Sequence, residues 1–508
     1  MNRQPQPISA LTRRDLLQGA ATLAVSSLLG CSSSSTAPAT TTQPASNPQP
    51  TPASPITQAS VSITATSAGS IGPAFAGLSY EKENLQESLF TATNADLIGL
   101  FKRLGPSVLR LGGNSVDKNV WTPNGRGQTV GQIAPSDVAA VAAFVKAAGW
   151  QCLYGINLGG AATGATTPAL AAAEVAYAVQ QFGSSLLGIE IGNECDEYGI
   201  SGSFYAGNWS LSQFLTLWQQ FRTAILATTP TAPITGPASA SNEASWTVPF
   251  GQSVTKSEIN LLTQHYYRAN GQLATSTAAF LVTPDATLVK DLAILQAGAQ
   301  LIGVPYRMSE CNSFYNGGAS GVSNSYASSL WVIDYLFNLA QGGASGANFH
   351  GGGNGTGYTP IADSSGTVVG ARPEFYGILF FTLAGQGTLY QTQVSADSLN
   401  VTAYAVNSSS GLSLVIVNKD PTQNLQVAVT LPIGQTYTAS SATLLAMTQL
   451  STGATAPDLS ATSGVTIQGA AVNPDGTFSP NPAYTLPLSG SQLTCYVAAL
   501  SAALIQIP

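Results

Sequence analysis

The sequence predicts a (β/α)8 barrel followed by a C-terminal antiparallel β-sandwich, and three observations carry that prediction. Between residues 75 and 382, short apolar runs alternate with segments of helical period, and eight such runs can be counted. Beyond Glu374 the texture changes to apolar/polar alternation between Gly, Pro, Asn and Ser turns. No Gly-rich phosphate loop follows the first apolar run, which weakens the runner-up, a doubly wound open sheet. A chain of 508 residues also exceeds one ordinary domain.

The chain opens with a targeting segment. Thr12-Arg13-Arg14-Asp15-Leu16-Leu17-Gln18 resembles a twin-arginine export signal, and the apolar stretch at 19–30 is too short to span a bilayer. Leu28-Leu29-Gly30-Cys31 resembles a bacterial lipobox, in which Cys31 is lipidated after cleavage; an ordinary signal peptide with an accidental cysteine is the plainer alternative. Residues 1–31 are therefore set aside from the fold. Residues 32–60 form a Ser/Thr/Pro/Ala tract without hydrophobic period, expected to be a disordered spacer between membrane and enzyme.

The barrel is expected over 61–384. Its strands are predicted at 75–80, 107–111, 151–158, 186–192, 234–237, 259–266, 305–309 and 346–350. Helices are predicted at 94–104, 136–148, 170–182, 211–227, 286–302 and 326–340, and Phe214, Trp218, Phe221 and Ile225 trace one buried helical stripe. The fifth helix, near 244–249, is poorly marked. The sandwich is expected over 385–508, with strands at 400–406, 412–418, 425–431, 442–447 and 493–507. Residues 61–65 are also strand-like, so 61–72 could join the sandwich from the N-terminal side.

Composition narrows the function classes. Only 8% of residues are charged, and 17 Lys and Arg with a net charge of −7 argue against a nucleic-acid partner. Two histidines, His265 and His350, and five scattered cysteines without a CxxC pair offer neither a His-rich metal site nor a disulfide scaffold. The expectation is a monomer without metal or cofactor, touching membrane only through its lipid anchor.

Barrel enzymes place their chemistry at the C-terminal ends of the strands. The fourth predicted strand runs out in Ile191-Gly192-Asn193-Glu194, and the seventh in Arg307-Met308-Ser309-Glu310. The two glutamates are 310 − 194 = 116 residues apart, or three βα units of about 39 residues. They are expected to face each other across one cavity, as glycoside hydrolysis requires of a protonated acid and an ionised partner. Taken singly, each is more often a solvated strand-end residue; their joint placement makes the pair. Glu190 lies four residues deeper on the same face and is expected to be structural, with Arg110 as its partner or else as support for Glu310. Asp196 and Glu197 fall past the strand as rim residues, while Cys195 and Cys311 read as buried small hydrophobes.

Leu109-Arg110-Leu111-Gly112-Gly113-Asn114, Glu190-Ile191-Gly192-Asn193-Glu194, His265-Tyr266-Tyr267 and Ser309-Glu310 resemble glycoside hydrolase family 79, the bacterial β-glucuronidase and heparanase family. The resemblance runs from about residue 75 to the C-terminus and is strengthened by Tyr315-Asn316-Gly317. It implies Glu194 as acid/base and Glu310 as nucleophile of a retaining hydrolase. It also implies Asn193 on the sugar 2-hydroxyl, Asn114 in the same subsite, and Tyr315 with the Gly317 amide on a substrate carboxylate. His265, Tyr266 and Tyr267 close the sixth strand, where alternation turns only one or two of them inward; aromatic packing outside the barrel is the other reading. His350 is either a site residue or a histidine bound to a backbone carbonyl, and Glu81 either a sugar contact or a rim carboxylate. The substrate expected is a terminal glucuronic or 4-O-methylglucuronic acid. The alternatives are a neutral-sugar hydrolase of the same clan, such as an arabinofuranosidase or xylosidase, and a non-catalytic carbohydrate-binding lipoprotein.

Overall fold

The computed structural model describes residues 47–508 apart from Ser201, Thr436 and Thr438. The export signal, Cys31 and most of the expected spacer lie outside the described residues. Eight parallel strands close a barrel: β1 (Ala76–Glu81), β2 (Val108–Gly112), β3 (Gln151–Ile156), β4 (Leu186–Ile191), β5 (Ile234–Ser239), β6 (Leu261–Asn270), β7 (Tyr306–Tyr315) and β8 (Ala347–Gly351). The ring closes where β8 pairs with β1 in register from Ala347↔Ala76 to Gly351↔Tyr80. The strands are buried along most of their length, as expected of strands covered on both faces, and only the last four residues of β6 are half-buried together.

The outer helices are α1 (Ala95–Leu104), α2 (Pro135–Ala148), α3 (Pro168–Phe182), α4 (Leu211–Thr228), α5 (Val248–Ser253), α6 (Ala286–Ile302), α7 (Tyr326–Gln341) and α8 (Pro373–Leu383). Local chemistry sets their starts: the Asn94 side chain accepts from the Leu97 amide, and Asp285 caps Thr287 and Leu288. On α4 the predicted stripe Phe214, Trp218, Phe221 and Ile225 is fully buried. Each such side chain contributes roughly 1.5–3 kcal/mol by leaving water. The poorly marked fifth helix is short because a π-turn at Glu243–Thr247 takes up the preceding residues.

The second module is a ten-stranded sheet folded on itself, with Ser441–Gln449 pairing with Ser501–Ile507 to join its ends. Three expectations need correction. The first strand of this sheet begins at Ile56, and residues ahead of it are already fixed: the Thr485 amide donates to the Asn47 carbonyl at 2.7 Å, and Gln49 bonds Tyr496 in both directions. The disordered spacer therefore does not extend to residue 60. From Ile56 onward its Ser and Thr residues instead supply the outward face of a strand. The sheet is also mixed, because Ile56–Ile71 runs parallel to Asn424–Thr430 and antiparallel to Gly387–Ser395. The expected strand at 493–507 divides into Gln492–Val497 and Ser501–Ile507, with Leu500 at positive φ between them.

Barrel and sheet pack as one unit through α7. Phe337 stacks on Tyr404 with ring centroids 4.3 Å apart and planes at 6°. One helical turn earlier, Asp334 takes the Thr402 and Tyr404 hydroxyls and the Lys419 ammonium, so this half-buried carboxylate is paired and hydrogen-bonded.

Candidate active site

At the C-terminal mouth of the barrel, a cavity of about 560 Å3 is walled by Asn114, Glu194, Tyr267, Glu310, Tyr315 and Tyr358, among others. Both glutamates therefore line one space. One carboxylate oxygen of Glu194, one of Glu310 and a ring nitrogen of His265 all lie within 4.8 Å of one another.

Irregular backbone aims these groups. Glu194 sits just past β4 in the left-handed region at φ 50, and its amide donates to the Ala238 carbonyl at 2.8 Å. On β7 the register advances two residues against one on β6 between Met308 and Glu310, a bulge that sets Glu310 directly opposite His265. β7 does not end at Glu310, as its sequence suggested, but continues to Tyr315.

Arg110, fully buried on β2, organises the floor. Its Nε donates to Glu190 at 2.8 Å, Nη1 to Glu310 and Nη2 to Asn193 Oδ1 at 2.7 Å, with His265 Nε2 at 3.2 Å from Nη2. The two roles weighed for Arg110 are thus both filled by one fork. Because guanidinium only donates, it fixes Asn193 with its oxygen toward Arg110 and its NH2 turned away. Glu190 is fully buried and held below the usual carboxylate range, because Arg110 and His265 outweigh the burial that opposes ionisation.

Glu310 receives a second hydrogen bond, from the Tyr267 hydroxyl to Oε1 at 2.7 Å. Burial favours its protonated form, but His350, His265, Arg110 and the Tyr267 hydroxyl outweigh that and hold it well below its ordinary pKa. Glu194 is the more open of the pair, its side chain 23% exposed against 8% for Glu310. Its Oε1 lies 3.0 Å from His265 Nδ1.

Of the three residues on β6, His265 and Tyr267 turn inward. Tyr266 does not: it stacks on Tyr335 of α7 at 5.2 Å and donates to Asp285 outside the barrel. The expectation of Tyr266 as a substrate contact is thereby corrected, since period-two alternation sends the middle residue to the helix side. His350 bonds the Ser79 hydroxyl at 3.0 Å rather than a backbone carbonyl, and its ring faces Glu81 at 3.6 Å and Glu310 at 3.8 Å. Burial favours the neutral ring, yet these carboxylates pull its pKa above the usual value. Glu81 accepts the Asn114 and Ser115 amides at 3.1 and 2.8 Å, so its carboxylate holds the loop that presents Asn114. Cys195 and Cys311 are buried, and burial pushes both thiols up, away from thiolate chemistry.

Tyr315 is 45% exposed at the cavity lip, followed by Asn316 and Gly317 at positive φ. Gly357 abuts this turn so closely that a Cβ there would sit 1.8 Å from the Gly317 carbonyl oxygen. That contact carries Tyr358 over the cavity, its ring 5.8 Å from Tyr267 and 6.0 Å from His350. Sequence reasoning missed Tyr358, which hides behind a Gly-rich loop with no periodicity.

Glu194, His265 and Glu310 could in principle offer three ligands to a metal ion. The Arg110 guanidinium already bonds Glu310 and faces His265, and a fixed cation there opposes a second one. The donor set suits proton transfer better than metal binding.

No family model matches the chain. A β-glucuronidase of Aspergillus niger is 25% identical over 343 residues, which cover 60% of this chain and 61% of that protein. The chain thus aligns with less than two thirds of that relative's length. Among solved structures, a 4-O-α-L-rhamnosyl-β-D-glucuronidase of Fusarium oxysporum superposes with a TM-score of 0.70 at 18% identity, covering 88% of this chain and all of that one. A GH51 arabinofuranosidase of Xanthomonas axonopodis superposes with a TM-score of 0.62 at 12% identity, covering 89% and 100%. These two likenesses establish the barrel-and-sheet fold. They leave the sugar open.

Proposed function

We propose that the chain is a retaining, exo-acting β-glucuronidase of the family 79 type, releasing terminal glucuronic or 4-O-methylglucuronic acid. The observation that carries this reading is the pair Glu194 and Glu310, with carboxylate oxygens within 4.8 Å in one cavity but in opposite settings. Retaining hydrolases hold their carboxyl groups roughly 5–5.5 Å apart, whereas inverting ones need roughly 6.5–9.5 Å to admit a water. Glu310, kept ionised, attacks the anomeric carbon while Glu194 gives its proton to the departing oxygen. Glu194, now ionised, then takes a proton from the water that hydrolyses the glycosyl-enzyme ester. Asn193, oriented by Arg110, has its NH2 available for the sugar 2-hydroxyl. Tyr315 and Gly317 line the same cavity, and a hydroxyl with a backbone amide can meet a C6 carboxylate without a salt bridge. The name of the Aspergillus niger relative supports the choice of sugar.

The test is a set of aryl glycosides that differ only in the C6 carboxylate and ring form, with product anomers followed by NMR. Turnover of the β-glucuronide with first-formed β product supports the reading. Turnover confined to an arabinofuranoside or xyloside, an inverted product, or no hydrolysis at all overturns it. The export reading belongs to the same proposal, and a lipid-modified Cys31 found by mass spectrometry of the N-terminal peptide would support it.

A further inference from the structure

The cavity has two unlike walls. Tyr267, Glu310, Tyr315 and Tyr358 form one; Glu197, Ile200, Ala240 and Ser241 form the other, on the side of Glu194. An acid that protonates the departing oxygen must stand beside the departing group, so on the proposed role of Glu194 this second wall is what the leaving group meets. The wall is built firmly onto the acid. Glu194 donates its amide to Ala238, and the Asp196 carboxylate accepts the Ala240 and Ser241 amides at 2.9 and 3.1 Å and the Asn242 side chain at 3.1 Å. The loops after β4 and β5 therefore hold one geometry around Glu194.

Its chemistry is selective. Ile200 is 55% exposed on this wall, an apolar side chain left open to the cavity. Glu197 stands half-buried on the same wall, within the electrostatic reach of Asp196 and Glu194. No Lys or Arg lines the cavity among the described residues. An anionic group seated here would meet fixed carboxylates with no cation to offset them, whereas a neutral ring would cover Ile200 and lose nothing.

We propose that Glu197, Ile200, Ala240 and Ser241 form a leaving-group subsite that accepts an uncharged group with an apolar face and discriminates against anionic ones. This deepens the functional reading above and rests on Glu194 being the acid.

The experiment uses three donors of one sugar: two aryl glycosides matched in phenol acidity, one neutral and one sulfonated, and the glycosyl fluoride. The fluoride's leaving group is too small to reach Ile200 and serves as the internal reference. The wild-type enzyme should prefer the neutral aryl donor by about 10-fold in kcat/KM at low salt, and the gap should narrow at about 1 M salt, where exposed charges are screened. Glu197→Gln should reduce the gap and Glu197→Lys should erase or reverse it. Ile200→Ser should lower the neutral-aryl to fluoride ratio by about 10-fold, the loss of one buried aliphatic contact. Equal kcat/KM for the matched pair in wild type and both Glu197 variants would overturn the subsite, as would an aryl-to-fluoride ratio unmoved by Ile200→Ser. The sugar is a separate matter. If glucuronides are inert and an arabinofuranoside is cleaved, the glucuronidase reading fails, and the same ratios measured on the arabinofuranoside decide the subsite.

Discussion

His265 Nδ1 lies 3.0 Å from Glu194 Oε1, while the other ring nitrogen faces the Arg110 guanidinium at 3.2 Å. Arginine can only donate, so it offers nothing to a hydrogen on Nε2, and the ring hydrogen that finds an acceptor is the one on Nδ1, which points at Glu194. In the proposed mechanism, Glu194 thereby has a donor that steadies its ionised form during the second chemical step.

From this arrangement Glu194→Ala should spare donors with very good leaving groups, which need little protonation. Added azide should partly restore its turnover by attacking the glycosyl-enzyme without a base. Glu310→Gln should abolish turnover of every donor, because no intermediate forms. Steady-state rates across a series of leaving groups, with and without azide, check this. The same response from both variants would reverse or remove the assigned roles.

The Tyr267 hydroxyl donates to Glu310 at 2.7 Å and helps hold its pKa low. Removing that donor disfavours the ionised form of Glu310. Tyr267→Phe should therefore move the acid limb of the kcat/KM profile to higher pH. It should also cost roughly 10- to 100-fold at the optimum, as expected for a hydrogen bond to a charged group worth about 1.5–3 kcal/mol. An unmoved acid limb would mean that this hydroxyl only packs against Tyr358.

Tyr315 distinguishes charged from neutral donors. Tyr315→Phe should cut kcat/KM for a glucuronide by roughly 10- to 100-fold and change little for the matching glucoside or xyloside. Equal losses on both donors would show that Tyr315 is not the carboxylate contact.

Glu374, at the start of α8, is buried with Oε1 unpartnered and Asn312 on Oε2 at 3.1 Å. Burial pushes its carboxyl up to about 8. Its unfolded value is about 4.3, so between those two pH values the folded state binds more protons than the unfolded state. The Glu374 contribution is fully present below about pH 4.3 and is lost as pH rises toward 8, at no more than about 1.4 kcal/mol per pH unit. Glu374→Gln carries no titrating proton. Urea denaturation from pH 5 to 8 should show a flatter decline for this variant than for wild type, and parallel declines would count against a protonated Glu374.

The legible parts of the site are those governed by regular alternation. Asn193-Glu194 follows a strand whose length and apolar run mark its end, and Arg110 stands inward on a strand of unbroken period. The bulge before Glu310 left no trace in the sequence, because the residue that slips out of register, Ser309, is compatible with either face. Alternation limited the β6 trio without choosing between its phases, and Tyr266 proved to be the outward one. Tyr358 and Ile200 reach the cavity from loops, where position is set by contacts distant in sequence, such as Gly317 against Gly357. The strand beginning at Ile56 was hidden for a different reason: its outward Ser and Thr residues match the composition of the tract that precedes it.

That strand has a consequence for how the chain can be divided. Ile56–Ile71 is inserted between Asn424–Thr430 and Gly387–Ser395, so its neighbours on both sides are made more than 300 residues later. The entire barrel is thus a loop closed by the sheet, and the apparent boundary near residue 384 is not a place where the protein can be cut. A fragment ending there would carry a long strand with two open edges, prone to pair with other chains. A fragment starting there would have a gap at its centre. Synthesis runs into the same geometry, since the strand must wait for the last quarter of the chain before it has partners, a closure of high contact order. Circular permutation that joins the two ends near this sheet would shorten that wait without altering a single residue of the cavity.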